Sequence, residues 1–175
     1  MAKHTDGGVS AVSTACDGKA YGFKYVNGHP KNTSEGLQTV TAFGLLADVY
    51  TGYPTLLSEM TMLTAIRTAA TSAMAAKHLA PKGAKTMAMI GNGAQSEFQT
   101  LAMKAIIGLE AVRLYDIDPE ATKKAARNLE GMGVKVTKCK SAEESMEGAE
   151  IITTCTADKQ CATILTDNMI GAGVH

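Results

Sequence analysis

The stretch Met87-Ala88-Met89-Ile90-Gly91-Asn92-Gly93-Ala94-Gln95-Ser96 decides the fold of this chain. It predicts a buried strand that leads through a glycine turn into a helix. Gly91 permits the tight turn, and Gly93 lets the backbone approach a pyrophosphate, which the N–H groups and the dipole at the helix start then hold. Ser96 stands in the place of the third glycine of the common pattern, and its small side chain still allows close helix packing.

Short apolar runs alternate with helical stretches on both sides of this turn. Strands separated by helices of this length form right-handed crossover units, hence a parallel sheet with helices on both faces. We therefore predict an α/β fold of the doubly wound, Rossmann-like type, incomplete because only four strands are clear and residues 171–175 only begin another. The predicted strands are 86–90, 111–115, 134–138 and 151–155, and the predicted helices are 95–107, 119–129 and 142–147.

The composition changes near residue 80, which indicates a domain junction. Earlier segments are rich in β-branched and aromatic residues and are separated by turns, which predicts a small antiparallel sheet with strands at 21–26, 37–48 and 55–59. A connecting helix is predicted from Thr61 to Leu79, with the apolar residues Leu63, Ile66, Ala70 and Met74 spaced for one face. The predicted junction separates residues 1–79, the small sheet with its connecting helix, from residues 80–175, an incomplete dinucleotide-binding domain.

Composition and charge exclude several classes of protein. The chain has 175 residues, of which 45% are apolar and 19% charged, so it has enough apolar residues for a core and is not typical of disordered, collagen-like or coiled-coil proteins. Lys and Arg number 17 and so do Asp and Glu, which leaves no global basic field for nucleic acid. A nucleic-acid partner is therefore not expected.

The sequence also favours a cytoplasmic protein without a metal. Its apolar runs are far shorter than the roughly 20 residues that span a bilayer, and residues 1–10 lack the apolar run of a secretory signal. The four cysteines form no C-x-x-C pair, and we expect them to be reduced thiols. The four histidines show no metal-ligand spacing.

An acidic residue follows the second predicted strand of the parallel sheet. Asp116 lies about 20 residues past Gly93, where an acid accepts hydrogen bonds from the adenosine ribose hydroxyls. The next residues, Ile117 and Asp118, include no arginine, and negative charge there would repel a 2′-phosphate, so the pattern favours NAD over NADP. A plain strand-turn-helix with a helix-capping aspartate, or a methyltransferase that binds S-adenosylmethionine, would show similar features.

Two cations and a threonine-rich strand end are further candidates. Lys24 lies in a strand between Phe23 and Tyr25, so alternation puts it on the face opposite theirs, and a solvated lysine is the usual outcome. Arg67 is alone in an otherwise uncharged helical stretch, where a guanidinium either snorkels or holds a carboxylate. Residues 153–157 lie where the fourth strand of the parallel sheet delivers its carboxyl end to a cofactor crevice.

With these residues in place, nearly the whole chain resembles the ornithine cyclodeaminase/mu-crystallin family. The run Lys24-Tyr25-Val26-Asn27-Gly28-His29-Pro30-Lys31-Asn32 is similar to the cyclodeaminase branch rather than to its relatives. The family pairs a substrate-binding and dimerisation domain with an NAD-binding domain, so the resemblance implies that residues 1–79 are a partial substrate-binding and dimerisation domain and residues 80–175 an incomplete NAD-binding domain. The other segments that carry the resemblance are 37–44, 57–61, 67–72, 90–99 and 156–159.

The resemblance implies an enzyme that converts L-ornithine to L-proline and ammonia, with NAD as a recycled hydride carrier and a homodimer as the full-length form. By resemblance, Lys24 and Arg67 are the cations that grip the substrate carboxylate. The residues that match its dinucleotide contacts or line the same crevice are Thr39, Thr68, Gly91, Asn92, Gly93, Ala94, Gln95, Asp116 and Thr156.

The departures from the family pattern leave other functions open. The family has further residues at the amino end, including another carboxylate-binding arginine, and continues beyond His175 to its catalytic aspartate, so we expect this chain to be a fragment. Residues 9–14 stand where the family usually carries a Glu and a Met-Pro in a strand. The alternatives are an inactive dinucleotide-binding remnant and an imine reductase or mu-crystallin-like NAD(P)H-binding protein. Ornithine is not distinguished from lysine or another basic amino acid.

Overall fold

The computed structural model of the chain describes residues 2–3, 9–156 and 163–175. The chain divides into two compact units, Met1–Thr64 and Ala65–His175. The division falls inside a long helix, so most of that helix belongs to the second unit. The proposed domain boundary at residue 79 stays a prediction.

The first unit contains an antiparallel sheet, as predicted. Its strands follow one another in chain order, so each pairs with the next by a simple reversal. The first two strands were not predicted, because residues 2–3 are too short a segment to show a pattern and the β-branched residues Val9, Val12 and Thr14 do not alternate strictly. Pairing with the next strand extends this segment instead. The strands are β1 (Ala2–Lys3), β2 (Val9–Cys16), β3 (Ala20–Gly28), β4 (Val40–Asp48) and β5 (Pro54–Glu59).

Helix α1 (Thr61–Leu79) has the predicted bounds, and the apolar face marked by the spacing is not its buried face. Leu63, Ile66 and Met74, which the spacing places on one face, are 52%, 50% and 58% exposed. The buried positions are alanines instead, because a small side chain lets the helix backbone come close to its neighbours. Two of them, Ala73 and Ala76, join the core of the second unit.

The second unit is built on a four-stranded parallel sheet, which confirms the α/β prediction. The strand order is β8-β7-β6-β9, so the chain first moves outward in one direction and then returns to the other side of β6. This order matches the first four strands of the Rossmann fold. The elements are β6 (Thr86–Ile90), α2 (Ser96–Ile107), β7 (Ala111–Tyr115), α3 (Pro119–Leu129), β8 (Lys135–Lys138), α4 (Ala142–Met146) and β9 (Ile151–Thr154).

Strand β6 is buried on both faces. Met87 and Met89 pack in one core cluster with residues of α2 and α3, whereas Ala88 and Ile90 pack in another with Met146 of α4. Because successive side chains of a strand point to opposite faces, helices cover both sides of the sheet. This explains the nearly continuous apolar run that precedes Gly91.

The last residue of the chain lies beside β9. The His175 carbonyl accepts the Ile152 N–H at 2.8 Å, and the His175 N–H bonds to the Glu150 carbonyl at 3.1 Å. These two bonds follow the pattern of a parallel neighbour and agree with a further strand beginning near residues 171–175. No helix in the described part of the chain is long and apolar enough to cross a membrane.

Helix α3 begins at a capped turn, which yields a test of the fold. Asp118 is the N-cap residue, its carboxylate accepts the Glu120 N–H at 2.9 Å, and Pro119 takes the first helical position. We expect Asp118→Ala to lower the free energy of unfolding in urea by about 0.5–2 kcal/mol. Asp118→Asn keeps a side-chain acceptor and should lose less; equal stability of the two variants would contradict the assigned cap.

Candidate functional site

The carboxyl ends of β6, β7 and β9 meet at one edge of the parallel sheet. Ile90 pairs with Tyr115 on one side and with Thr154 on the other, so the loops that follow the three strands are neighbours. The chain direction across the sheet reverses between β6 and β9, and ligands of open α/β sheets bind in the crevice at such a reversal. Gly91, Asp116 and Thr156 all follow these strand ends.

Gly91 is required by the fold itself. Its φ is +88°, a conformation that side chains disfavour. A Cβ atom built there would lie 2.8 Å from the carbonyl carbon of Cys155 and 2.9 Å from the nitrogen of Thr156. The Gly91 N–H also bonds to the Tyr115 carbonyl at 2.9 Å. The turn after β6 is therefore pressed between the ends of β7 and β9.

Gly93 is not required by the fold, and this is what makes it informative. The residue is exposed, its φ is not in the left-handed region, and no described atom lies within 4 Å of a Cβ built there. The missing side chain therefore leaves open space above the loop rather than relieving a clash within the protein. This is the space that a closely approaching ligand such as a pyrophosphate needs.

The start of α2 has the polar character of an anion site. Ser96 is fully buried, and its hydroxyl donates to the Gly93 carbonyl at 2.9 Å, so the small residue does allow close packing. Gln95 occupies the N-cap position without a side-chain cap bond. Helix N-termini leave N–H groups without intrahelical partners and carry a partial positive charge, both of which favour an anion.

Buried oxygen atoms without partners are concentrated at the same place. Among the described residues, four buried side-chain oxygens lack a hydrogen bond within the protein, and three of them belong to Asn92, Gln95 and Gln99. Buried polar atoms normally have partners, so unsatisfied ones indicate a bound water, an ion or a ligand. The loop and first turn of α2 thus present acceptors as well as N–H donors.

Asp116 links the two loops that follow β6 and β7. One carboxylate oxygen accepts the Asn92 N–H at 2.5 Å, and the other accepts the Asp118 N–H at 2.9 Å. An ionised carboxylate has about four acceptor sites, so two remain for the hydroxyls of a ribose. The same group can therefore fix the glycine loop and bind a sugar.

The Asn92 side chain contacts the protein rather than the crevice. Asn92 is fully buried, and its side-chain nitrogen donates to the Thr122 hydroxyl of α3 at 3.0 Å. Its predicted contact with a cofactor stays a prediction.

Two residues after β9 complete this edge of the sheet. Thr156 is exposed beside Gly91, whereas Cys155 is half-buried and its N–H bonds to the Ile90 carbonyl at 2.7 Å. Burial raises the pKa of the Cys155 thiol, which keeps it protonated and weakly nucleophilic near neutral pH.

Lys24 lies in the first unit, on the face of β3 that meets the start of α1. Its neighbours Phe23 and Tyr25 both contact Phe43, so Lys24 points to the opposite face. Its Nζ donates to the Thr64 hydroxyl at 2.5 Å, and that hydroxyl donates to the Met60 carbonyl at 2.6 Å. No carboxylate among the described residues forms an ion pair with Lys24. The half-buried ammonium therefore keeps donors for an anion.

The remaining predicted residues are divided between the two units. Thr39 precedes β4 in the first unit, and its carbonyl accepts the His29 N–H at 2.7 Å. Arg67 is exposed and Thr68 half-buried on α1, in the second unit. The structure brings together at one sheet edge residues 91–95, Asp116 and Thr156.

Sequence reasoning missed three polar residues that support these groups. Thr64 holds Lys24, Thr122 holds Asn92, and Gln99 carries a buried oxygen without a partner. The only signal for Thr122 and Gln99 was a polar residue on the inward face of an amphipathic helix, because a partner is known only once the helix is packed.

Cysteines and metal ligands complete the inventory of reactive groups. Cys16, Cys139 and Cys155 are free thiols, while Asp158, Lys159 and Cys161 lie outside the described residues. In the described ranges no group of three or more His, Cys, Asp or Glu side chains is arranged to hold a metal ion.

Known proteins resemble this chain along its whole length. An ornithine cyclodeaminase of Brucella abortus biovar 1 (strain 9-941) is 69% identical over 175 residues, which is 100% of this chain and 49% of the relative. The chain thus spans about half the length of the curated relatives it matches.

Solved structures share the fold. One is the structure of Thermococcus litoralis Delta(1)-pyrroline-2-carboxylate reductase in complex with NADH and L-proline. Its TM-score to this chain is 0.84 at 30% sequence identity, and the match covers 95% of this chain and 56% of the reductase chain. An archaeal alanine dehydrogenase dimer with bound NAD has a TM-score of 0.86 at 28% identity, over 99% of this chain and 53% of its own.

The resemblance deduced from the motifs is confirmed by these comparisons. The antiparallel sheet with Lys24 and the parallel sheet with its glycine turn lie within the matched length. The model of the ornithine cyclodeaminase/mu-crystallin family matches residues 1–175, and the chain belongs to that family.

Proposed function

We propose that this chain binds NAD at the carboxyl edge of its parallel sheet and that the protein converts L-ornithine to L-proline and ammonia. The observation that carries the proposal is the contrast between Gly91, which the fold requires, and Gly93, which leaves open space at the start of α2. The name of the 69% identical relative supports the reaction. The bound NADH and NAD of two similar structures support the cofactor.

The proposed cofactor site uses backbone and side-chain groups of the second unit. The N–H groups at Ala94 and Gln95, with the dipole of α2, would hold the pyrophosphate above Gly93. Asp116 would accept the ribose hydroxyls, and the nearby Asp118 would disfavour a 2′-phosphate, so we propose NAD rather than NADP. Thr156, Thr39 and Thr68 remain proposed further contacts.

Two cations, each considered within its own unit, are proposed to bind the substrate carboxylate. Lys24 would give the substrate carboxylate the N–H donors that Thr64 does not occupy. Arg67 would add a planar, two-pronged contact. Holding the carboxylate fixes the α-carbon, and positioning of this kind lowers a barrier by several kcal/mol. When bound, NAD supplies a hydride acceptor and later returns the hydride. We assign no proton-transfer residue to this chain.

The reaction is tested most simply with a trace of cofactor. The protein is incubated with L-ornithine and substoichiometric NAD, and proline and ammonia are quantified. We expect many proline molecules per NAD, because the cofactor is regenerated in each turnover. Accumulation of NADH equal to the product would contradict cyclodeamination, and absence of proline would favour the inactive remnant.

An imine reductase is the second candidate. The similarity to a Delta(1)-pyrroline-2-carboxylate reductase supports it, because that name denotes reduction of a cyclic imine. This candidate would be favoured if the protein reduces the cyclic imine, consumes one NAD(P)H for each product molecule and does not act on ornithine. Tighter binding of NADPH than of NADH would point the same way and count against the proposed role of Asp116.

We also propose a homodimer in the cytoplasm. The similar archaeal alanine dehydrogenase is a dimer with bound NAD. Exposed apolar side chains on β5 and α1, such as Leu57 and Met62, support association because water is a poor solvent for such a surface.

The glycine loop gives the first functional prediction. Gly93→Ala should leave the free energy of unfolding nearly unchanged, because the methyl group enters open space. It should still weaken NAD binding at least about tenfold, since the same methyl group blocks the pyrophosphate, at a cost of about 1.4 kcal/mol. Gly91→Ala is the contrasting variant and should lower stability as well. Unchanged NAD affinity in Gly93→Ala, measured by titration calorimetry, would contradict the proposed site.

The acid after β7 gives the second functional prediction. Asp116→Ala should weaken NAD binding by roughly 1–3 kcal/mol, the cost of leaving the ribose hydroxyls without an acceptor. The matched control is Asp118→Ala, which removes a helix cap but no proposed ligand contact. If both variants bind NAD equally well, Asp116 is not part of the site.

Lys24, a proposed substrate-binding cation, gives the third functional prediction. In the whole protein, Lys24→Met should raise the KM for L-ornithine roughly tenfold to a hundredfold, because a charge-assisted hydrogen bond of about 1.5–3 kcal/mol is lost. Lys19→Met removes an exposed lysine near the start of the same strand and serves as the control. A steady-state KM that does not change in Lys24→Met would make this lysine structural.

A further inference from the structure

We infer that Thr122 is a positioning residue for the cofactor, acting through Asn92 to hold the glycine loop in its binding conformation. The inference rests on the proposed NAD site. Thr122 comes from α3, a helix that none of the comparisons or the glycine motif assigns to binding. Its hydroxyl accepts a hydrogen bond from the Asn92 side-chain nitrogen at 3.0 Å, across 30 residues of sequence.

The contact is buried and has little to replace it. Asn92 is 0% exposed and Thr122 only 6% exposed, so water does not compete freely for either group. The Asn92 side-chain oxygen has no partner among the described residues, so among them the bond to Thr122 is what holds the Asn92 side chain. Loss of the Thr122 hydroxyl would leave the buried side-chain nitrogen of Asn92 without its acceptor.

Thr122 also connects the two loops that would bind the cofactor. Its own N–H bonds to the Asp118 carbonyl at 3.3 Å, so it lies in the first turn after the loop that carries Asp116. Asp116 in turn accepts the Asn92 N–H at 2.5 Å. Asn92 is therefore held twice, by its backbone to the acid loop and by its side chain to the helix that this loop begins.

A double anchor of this kind acts on affinity by pre-organisation. The glycine loop lacks side chains at Gly91 and Gly93 to fix its path, so backbone freedom would have to be lost on binding unless the protein removes it beforehand. Anchoring the residue between the two glycines restrains both peptide units. The expected consequence is tighter NAD binding without any contact between Thr122 and the ligand.

The test compares isosteric variants by titration calorimetry with NAD. Thr122→Val removes the hydroxyl and keeps the shape, and the dissociation constant should rise about tenfold, which corresponds to about 1.4 kcal/mol. Thr122→Ser restores the hydroxyl and should return the constant to within about twofold of the parent, as an acceptor role requires.

The matched control is Thr100→Val on α2. Thr100 is also buried, at 0% exposed, but its hydroxyl donates to the Ser96 carbonyl of its own helix at 2.9 Å. This variant should lose stability without a comparable loss of NAD affinity, which separates positioning from general destabilisation. Parent-like affinity in Thr122→Val, or equal weakening in Thr100→Val, would overturn the inference.

A ligand-free measurement distinguishes failure of this inference from failure of the proposed function. In NMR spectra without NAD, the backbone and side-chain amide signals of Asn92 should shift in Thr122→Val and return in Thr122→Ser. Unchanged Asn92 signals would overturn the anchor whether or not the protein binds NAD. If the parent does not bind NAD although the signals respond, the loop contact stands and the proposed cofactor site fails together with the positioning role.

Discussion

The structure depends on the close approach of the Gly91 backbone to the end of β9. A Cβ at Gly91 would lie 2.8 Å from the Cys155 carbonyl carbon, and the φ of +88° suits no other residue well. This approach lets the chain leave the central strand of the parallel sheet and turn directly into α2. The helix N-terminus consequently lies at the point where the strand order reverses, between the loops after β7 and β9.

The proposed cofactor binding follows from the hydrogen-bonding groups that remain available around this turn. Gly93 borders open space, and the start of α2 offers N–H donors. The Asp116 carboxylate accepts hydrogen bonds from the Asn92 N–H and the Asp118 N–H, and it has acceptor sites left for a ligand. A dinucleotide matches both features, because its negative pyrophosphate accepts hydrogen bonds from the N–H groups and its ribose hydroxyls donate to the Asp116 carboxylate. In the first unit, Lys24 supplies positive charge with donors left over for a carboxylate.

The sequence predicts the parallel unit well and the supporting contacts poorly. Strands β6 and β7 and helix α3 have the predicted bounds, because buried strands are continuous apolar runs and α3 begins at Asp118-Pro119. The buried face of α1 was not predictable, because the large apolar residues such as Leu63 and the buried alanines are both spaced for a helix face, so the choice between them depends on packing. The partners of Lys24 and Asn92 escaped prediction for the same reason: Thr64 and Thr122 become partners only after the elements meet.

The central claim is that the turn at residues 91–93 and the acid at residue 116 form one dinucleotide site. A crystal structure of the protein grown with saturating NAD tests it most directly. The account predicts the pyrophosphate above Gly93 at the start of α2, with the adenosine ribose hydroxyls on the Asp116 carboxylate. A dinucleotide bound elsewhere on the protein, or electron density that leaves this turn empty at saturation, would contradict the account.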